Sequence, residues 1–394
     1  MSVAPLSAIG DVVDQVVSWQ PERDDPDGTF TYIDLGAVDQ EAKIVTGVRE
    51  LACSEAPSRA RQLVHAGDVL VSTVRPNLNG VAHVPMEFDG ATASTGFCVL
   101  RPRASRLDGR YLYQWVKSPG FVGDMVRKAT GASYPAVSDR IVWESKLPLP
   151  PLPEQRRIAE ILDKADALRA KRRAPLAQLD TLTQSIFLDI FGDPISNPRG
   201  WPTVRFEQLC ERVTVGIVVQ PASYYVSEGV PALRSLNIRP GKIVLDDLVY
   251  FSKSDNDTKL AKTKLRAGDV VLVRSGQPGT AAVVPPELDG VNAIDILIAT
   301  PDQQLTNPTF LCEFFNSAGG RDLVLSRQRG QVQKHLNVGS LNQAILPLPS
   351  IDLQCEFAAR VAAVERYREA ELASSTALDA LFASLQHRAF RSEL

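Results

Sequence analysis

Leu147-Pro148-Leu149-Pro150 recurs as Leu346-Pro347-Leu348-Pro349, 199 residues later. With that offset held and no gap allowed, residues 147–191 lie over 346–390. Identities then also fall at Gln155, Ala159, Arg169, Ala174, Leu179, Asp180, Leu182, Ser185 and Phe191. A fixed period of about half the chain is the signature of an internal duplication. The repeat extends upstream: Gly131 matches Gly330, Val137 matches Leu336, and Ala66-Gly67-Asp68-Val69 matches Ala267-Gly268-Asp269-Val270 after a small length change. The chain therefore reads as globular domain, helix, globular domain, helix.

After the Pro-rich stop at 148–153, apolar residues step by three and four through Ile158, Ile161, Leu162, Ala165, Leu168, Leu176, Leu179, Leu182, Ile186 and Ile190. The second copy carries Phe357, Val361, Val364, Leu372, Leu378, Leu381 and Leu385. Such spacing marks one stripe of an amphipathic helix. Each helix would span roughly 39 residues, or ~58 Å if straight. A stripe that long cannot be buried alone, so the two copies are expected to pack as an antiparallel pair. The expected interface is Ile158, Leu162, Ala165, Leu179, Leu182 and Ile186 against Phe357, Val361, Val364, Leu378, Leu381 and Leu385. Pro175 predicts a kink or short break mid-helix, because it removes a backbone donor and crowds the preceding turn. Gly192 and Pro194 end the first helix.

The globular halves read as mostly β with some helix. Val69–Val71 and Val270–Val273 follow a Gly-Asp turn, with Val81–Val84 and Ala281–Val284 as hairpin partners, and Tyr111–Val116 and Phe310–Phe315 as short helices. The fold class is α+β, with domains at 1–146 and 194–345 and helical regions at 147–193 and 346–394.

The 394 residues are 44% hydrophobic and 23% charged, a globular rather than disordered composition. No apolar run reaches about 18 residues, and no secretory leader is recognisable, so the expectation is a cytoplasmic chain without a membrane span. Five scattered cysteines fit free thiols in a reducing compartment. The net charge of −3 neither supports nor excludes nucleic-acid binding, which depends on local clusters of Lys and Arg.

The segment Leu147 to Gln155 followed by a long Ile/Ala/Leu helix resembles the conserved region of type I restriction-modification specificity subunits. So do Gly330 to Asn337 ahead of Leu346-Pro347-Leu348-Pro349, and the helix end Phe187 to Pro194. The resemblance covers essentially the whole chain. It implies two α/β target recognition domains, related by a pseudo-twofold axis and separated by two antiparallel helices forming a coiled coil. Each domain would read one half of an asymmetric, bipartite site in double-stranded DNA. Two methyltransferase subunits, and endonuclease-translocase restriction subunits, would assemble on it. S-adenosylmethionine, ATP and Mg²⁺ would serve those partners, leaving no catalytic or metal site here. One departure is Asp352-Leu353 where the first copy has Pro153-Glu154, so that only Gln354 remains of the Pro-Glu-Gln signature. Pro175 is another.

Base reading calls for Arg opposite guanine and Asn or Gln opposite adenine. The loops after the matched β runs offer Arg75, Asn77 and Asn79 in one half, and Arg274, Ser275 and Gln277 in the other. The same residues also read as plain hairpin turns. A second set precedes the Leu-Pro motif: Arg127, Lys128 and Tyr134, then Arg327, Arg329, Gln333, Lys334 and His335. A solvated charged face is the alternative there. The run Arg169, Lys171, Arg172, Arg173 suits solvent, a partner subunit or phosphates equally.

No GxxxxGK[ST] loop occurs. Neither the glycine-rich cofactor turn nor the Asn-Pro-Pro-aromatic motif of an adenine methyltransferase is present, so a methylated base would be flipped into a partner's pocket. Pro26-Asp27 with Glu41-Ala42-Lys43 loosely fits a metal-dependent PD-(D/E)xK nuclease, although Asp24 to Gly28 reads simply as a turn. A coiled-coil scaffold that binds no DNA would explain the helices but not the duplicated domains.

Overall fold

The computed structural model describes residues 4–131, 133–326 and 335–394. It is α+β and divides into two compact units, one of Met1–Ala174 with Ala373–Leu394 and the other of Pro175–Leu372. Each unit holds one globular body and half of each of two long helices, Leu152–Phe191 and Ile351–Ala389. No helix of the described residues is long and apolar enough to cross a membrane.

The helix halves run antiparallel inside each unit. In the first, Arg157 lies by the Leu394 carbonyl, and Arg169 Nε donates to Asp379 Oδ1 at 2.6 Å. In the second, the end of the first helix meets the start of the second, with Phe187 and Phe191 packed edge-on against Phe357. Ile158 and Leu162 are buried in one core with Phe382 and Ala389, while Ala165 and Leu385 pack at its edge. Phe357 and Val361 share the other core with Phe187 and Phe191, and Ile186 flanks it.

Three expectations need correction. Leu182 and Leu381 stay exposed, at 38% and 53%, and Leu179, Val364 and Leu378 are only half-buried. The stripe is a broad face shared between the partner helix and the globular body, so the expected seam includes leucines that are not buried and omits Phe187, Phe191 and Phe382, which are. The first helix also continues through Pro175 without the expected break, although the proline leaves one backbone donor missing there. Finally, Arg169 and Arg173 do not simply face solvent or phosphates: both contact Asp379, and Arg169 lies 4.3 Å from the Phe382 ring centroid.

Each body repeats one sheet plan. In the first unit, Val13–Asp14, Phe97–Pro102, Val69–Ser72 and Val81–His83 form a sheet in that spatial order. In the second, Cys210–Val215, Ile296–Pro301, Val270–Val273 and Ala281–Val283 form its counterpart. The expected hairpins are present, with Val69 opposite His83 and Val270 opposite Val283. The helices Gly109–Val116 and Pro308–Asn316 also lie where the sequence puts them. The Ala-Gly-Asp-Val repeat has a structural cause. Asp68 and Asp269 are buried, and each caps its turn by accepting from the backbone N–H three residues earlier. Each also binds an arginine at 2.7 Å, Arg101 in one unit and Arg212 in the other. A buried carboxylate is tolerable only with such partners.

A two-stranded pairing then delivers the chain to each long helix. Leu6–Ala8 pairs with Lys146–Pro148, and Thr203–Arg205 pairs with Ile345–Pro347. One turn into each helix a fully buried glutamine joins it to the body. Gln155 Oε1 accepts from the Asp108 N–H at 2.9 Å, and its Nε2 donates to the Arg106 and Pro150 carbonyls. Gln354 repeats this 199 residues on, accepting from Asn307 N–H and Thr306 Oγ1 and donating to the Leu305 and Pro349 carbonyls. The survival of this one signature residue in the second copy is therefore explained inside the chain.

Where each body faces its helices, Gln114 and Glu313 occupy equivalent buried positions. Gln114 donates to Asp163 at 2.8 Å. Glu313 instead accepts from the Gln184 amide in an open cleft of about 580 Å³ that Glu365 also lines. Burial pushes the Glu313 carboxyl above its ordinary 4.5, the Gln184 hydrogen bond pulls it part of the way back, and the Glu365 charge pushes it up again. An acid with a raised folded-state pKa contributes stability below its unfolded value and loses it as pH rises through the folded one. We therefore expect Glu313→Gln to raise the thermal midpoint of its unit at about pH 8 and to change it little near pH 4, as read by calorimetry. Gln155→Ala and Gln354→Ala should each destabilise their own unit by about 2–3 kcal/mol, since each leaves buried backbone groups unpaired. Gln155→Glu should do no better, because a carboxylate cannot donate to two carbonyls; urea titration with amide exchange at Asp108 and Asn307 reads both.

Candidate nucleic-acid interface

The central strand that ends at Ser72 in one body and at Val273 in the other meets the segment preceding the Leu-Pro motif. In the first unit the Val137 N–H donates to the Thr73 carbonyl, and the Arg75 N–H to the Pro135 carbonyl. In the second, the Leu336 N–H donates to the Arg274 carbonyl. Tyr134 is thus brought to Arg75 in the first body, and His335 to Arg274 and Ser275 in the second.

What each body displays there differs. Arg75 is exposed, takes a left-handed backbone (φ 50°) and stacks its guanidinium 4.7 Å from the centroid of the Tyr134 ring, itself 68% exposed. A stacked guanidinium keeps its fork of donors outward while losing little side-chain freedom on contact. Asn77 is exposed in the short turn Pro76–Leu78. Asn79 departs from expectation: its amide donates to the Lys117 carbonyl and its own carbonyl accepts from Lys43. It closes the turn rather than presenting an amide outward. Arg127 and Lys128 both pair with Asp124 on their own helix, at 3.2 and 2.7 Å. Exposed pairs of this kind are weak and open readily to a phosphate.

In the second unit Arg274 is turned inward, its side chain 12% exposed. It pairs with Asp295, donates to the Leu336 carbonyl and lies 2.7 Å from His335 Nε2. Strand register explains why. Phe97 faces Ser72 as Ile296 faces Val273, so Thr73 and Arg274 are equivalent, as are Gly96 and Asp295. In the first unit that position is closed by a hydroxyl, Thr73 Oγ1 donating to the Gly96 carbonyl. Arg75 and Arg274 share a residue type but not a place. Ser275 and Gln277 remain exposed. Arg327, Arg329, Gln333 and Lys334 lie outside the described residues.

His335 Nδ1 is 2.6 Å from Ser275 Oγ. This pair is not a nucleophile and its base. Arginine only donates, so Nε2 accepts from Arg274, and the neutral ring carries its proton on Nδ1, facing the serine. A base would need the opposite tautomer. Nor do the nuclease residues assemble: Lys43 is committed to Asn79, and among the described residues no group of three or more His, Cys, Asp or Glu could hold a metal. Sequence reasoning missed the Asp295 partner, whose only signal was its register opposite the arginine.

Residues 57–178 match the model of the type I restriction modification DNA specificity domain. Over 328 residues the chain is 26% identical to the specificity subunit of the type I restriction enzyme EcoBI from Escherichia coli, covering 75% of this chain and 68% of that one. It is 25% identical over 336 residues to the EcoKI specificity subunit of Escherichia coli K12, covering 79% and 70%. Among solved structures, a chain from a study of complex assembly and conformational transition in the type I R-M system aligns over 100% of this chain and 99% of its own. Its TM-score is 0.68 at 23% identity. The type I restriction-modification S subunit from M. genitalium aligns over 98% and 96%, with a TM-score of 0.55 at 13% identity. These structural likenesses concern the fold, and the sequence relatives carry the kinship: the chain is similar over most of its length to type I restriction-modification specificity subunits, and residues 57–178 match their DNA specificity domain.

Proposed function

We propose that each globular body, 1–146 and 194–345, reads one half of an asymmetric bipartite site in duplex DNA. The paired helical regions, 147–193 and 346–394, set the spacing of the halves and dock two methyltransferase subunits. Methylation and cleavage then belong to those subunits and to endonuclease-translocase partners, with S-adenosylmethionine, ATP and Mg²⁺ as their cofactors. The observation that carries this reading is one scaffold with two different displays at the same place. Arg75 stacked on Tyr134 stands in the first body; Ser275 and His335, braced by Arg274 and Asp295, stand in the second. A symmetric site would ask for the same side chains twice. Unlike side chains on like frames suit unlike half-sites.

Deleting the gene should remove one bipartite, non-palindromic adenine-methylation motif from the methylome of a strain whose partner genes are active; an unchanged methylome would refute the proposal. Arg75→Ala should weaken binding of the assembled methyltransferase to that motif by about 1–3 kcal/mol, while leaving the thermal midpoint of the chain nearly unchanged. Arg274→Ala should do the reverse first, lowering stability by about 2–3 kcal/mol because Asp295 and the Leu336 carbonyl lose their shared donor. Thermal unfolding beside a filter-binding titration separates the two.

A further inference from the structure

We infer that Val218 and Val219, at the tip of the turn that follows the Cys210–Val215 strand, contact the 5-methyl group of a thymine in the half-site read by the second unit. The inference rests on the reading just proposed and adds to it a base type and the residues that select it.

The turn is fastened to the polar cluster by the backbone. Ile217 bridges Ile294 in parallel, its N–H donating to the Ala293 carbonyl at 2.8 Å and its carbonyl accepting from the Asp295 N–H at 3.1 Å. Asp295 is the residue that pairs with Arg274, and Arg274 in turn meets His335. Gly216 permits this approach: a Cβ there would stand 2.4 Å from the Ala293 carbonyl oxygen, so any larger residue would push the turn away. Beyond Ile217 the chain leaves the sheet, and Val218 and Val219 are 49% and 78% exposed. The far side is braced as well. Gln220 holds a left-handed backbone (φ 43°), and its carbonyl accepts from both the N–H and the hydroxyl of Ser223.

Two neighbouring valines are therefore held out on a turn whose backbone is bonded to Asp295, the partner of Arg274 in the reading cluster. Single exposed apolar side chains are ordinary. Their backbone link to the Asp295, Arg274 and His335 cluster, proposed above to face base edges, is what selects the occupant here. Valine can neither donate to phosphate nor to a base edge. The apolar group that a base edge displays in the major groove is the thymine methyl.

The test uses the chain assembled with its methyltransferase subunits and a duplex carrying the motif defined by the methylome. Each thymine of the motif is replaced singly by uracil, which removes the methyl and keeps the pairing. At one position, in one half, uracil should weaken binding about fourfold, the worth of one buried methyl. The double variant Val218→Ala, Val219→Ala should bind thymine and uracil duplexes alike, with its thermal midpoint unchanged. A motif half without an A·T pair, uracil neutral at every position, or a uracil penalty that persists in the variant would each overturn the inference. So would a variant that fails to assemble with the methyltransferase subunits while uracil is neutral in the parent, since the turn would then be a protein contact. Failure of the underlying reading looks different: replacing residues 194–345 with another recognition domain would leave both halves of the motif unaltered.

Discussion

Neither body closes its core with its own stretch of chain. Phe382 and Ala389, from the last helix, are buried with Ile158, Leu162 and Tyr111 of the first unit. Phe187 and Phe191, from the first helix, are buried with Phe357 and Phe310 of the second. An amphipathic helix about 40 residues long has more apolar surface than one small body can cover, and each body lacks a wall. Sharing the two helices solves both problems. The cost is the ordering of contacts very distant in sequence, which burial of several aromatic side chains offsets.

The glutamines at the helix starts follow from that arrangement. A helix that serves as a wall must enter at a set angle, and its first turn carries unsatisfied N–H groups next to a proline-rich strand. Gln155 and Gln354 each accept one backbone N–H of the body and donate to two carbonyls, one of the body and one of the proline segment between strand and helix. Only an amide has the acceptor and the paired donors for this position. The neighbouring Pro153 and Glu154 have no counterpart in the second copy because the pattern does not use them. The buried Asp68 and Asp269 are similar: the carboxylate recurs, but its arginine comes from a different strand in each unit.

A shared frame with conserved internal ties leaves the outer ends of the strands free to differ. At the same register position the first unit closes with a threonine hydroxyl and the second with an arginine–aspartate pair. These are local solutions to the same need, a satisfied turn at a strand end, and each leaves different groups facing outward. Divergence at such a place changes what is presented without disturbing what is buried.

The duplication, the two long helices and the hairpins after each Gly-Asp turn were all legible in the sequence. Each is written in periodicity or in local turn chemistry, which depend on neighbours in the chain. Side-chain direction at the candidate interface was not. Arg75 and Arg274 look alike in sequence, yet strand register sets one outward on Tyr134 and the other inward on Asp295. Asn79 reads as a base-reading amide and turns out to close its own loop. Leu182 and Leu381 fit a helical seam and remain exposed, because the globular body competes for the same face and packing decides which side it takes. Pairing partners far apart in the chain set these outcomes, and only the folded structure brings those partners together.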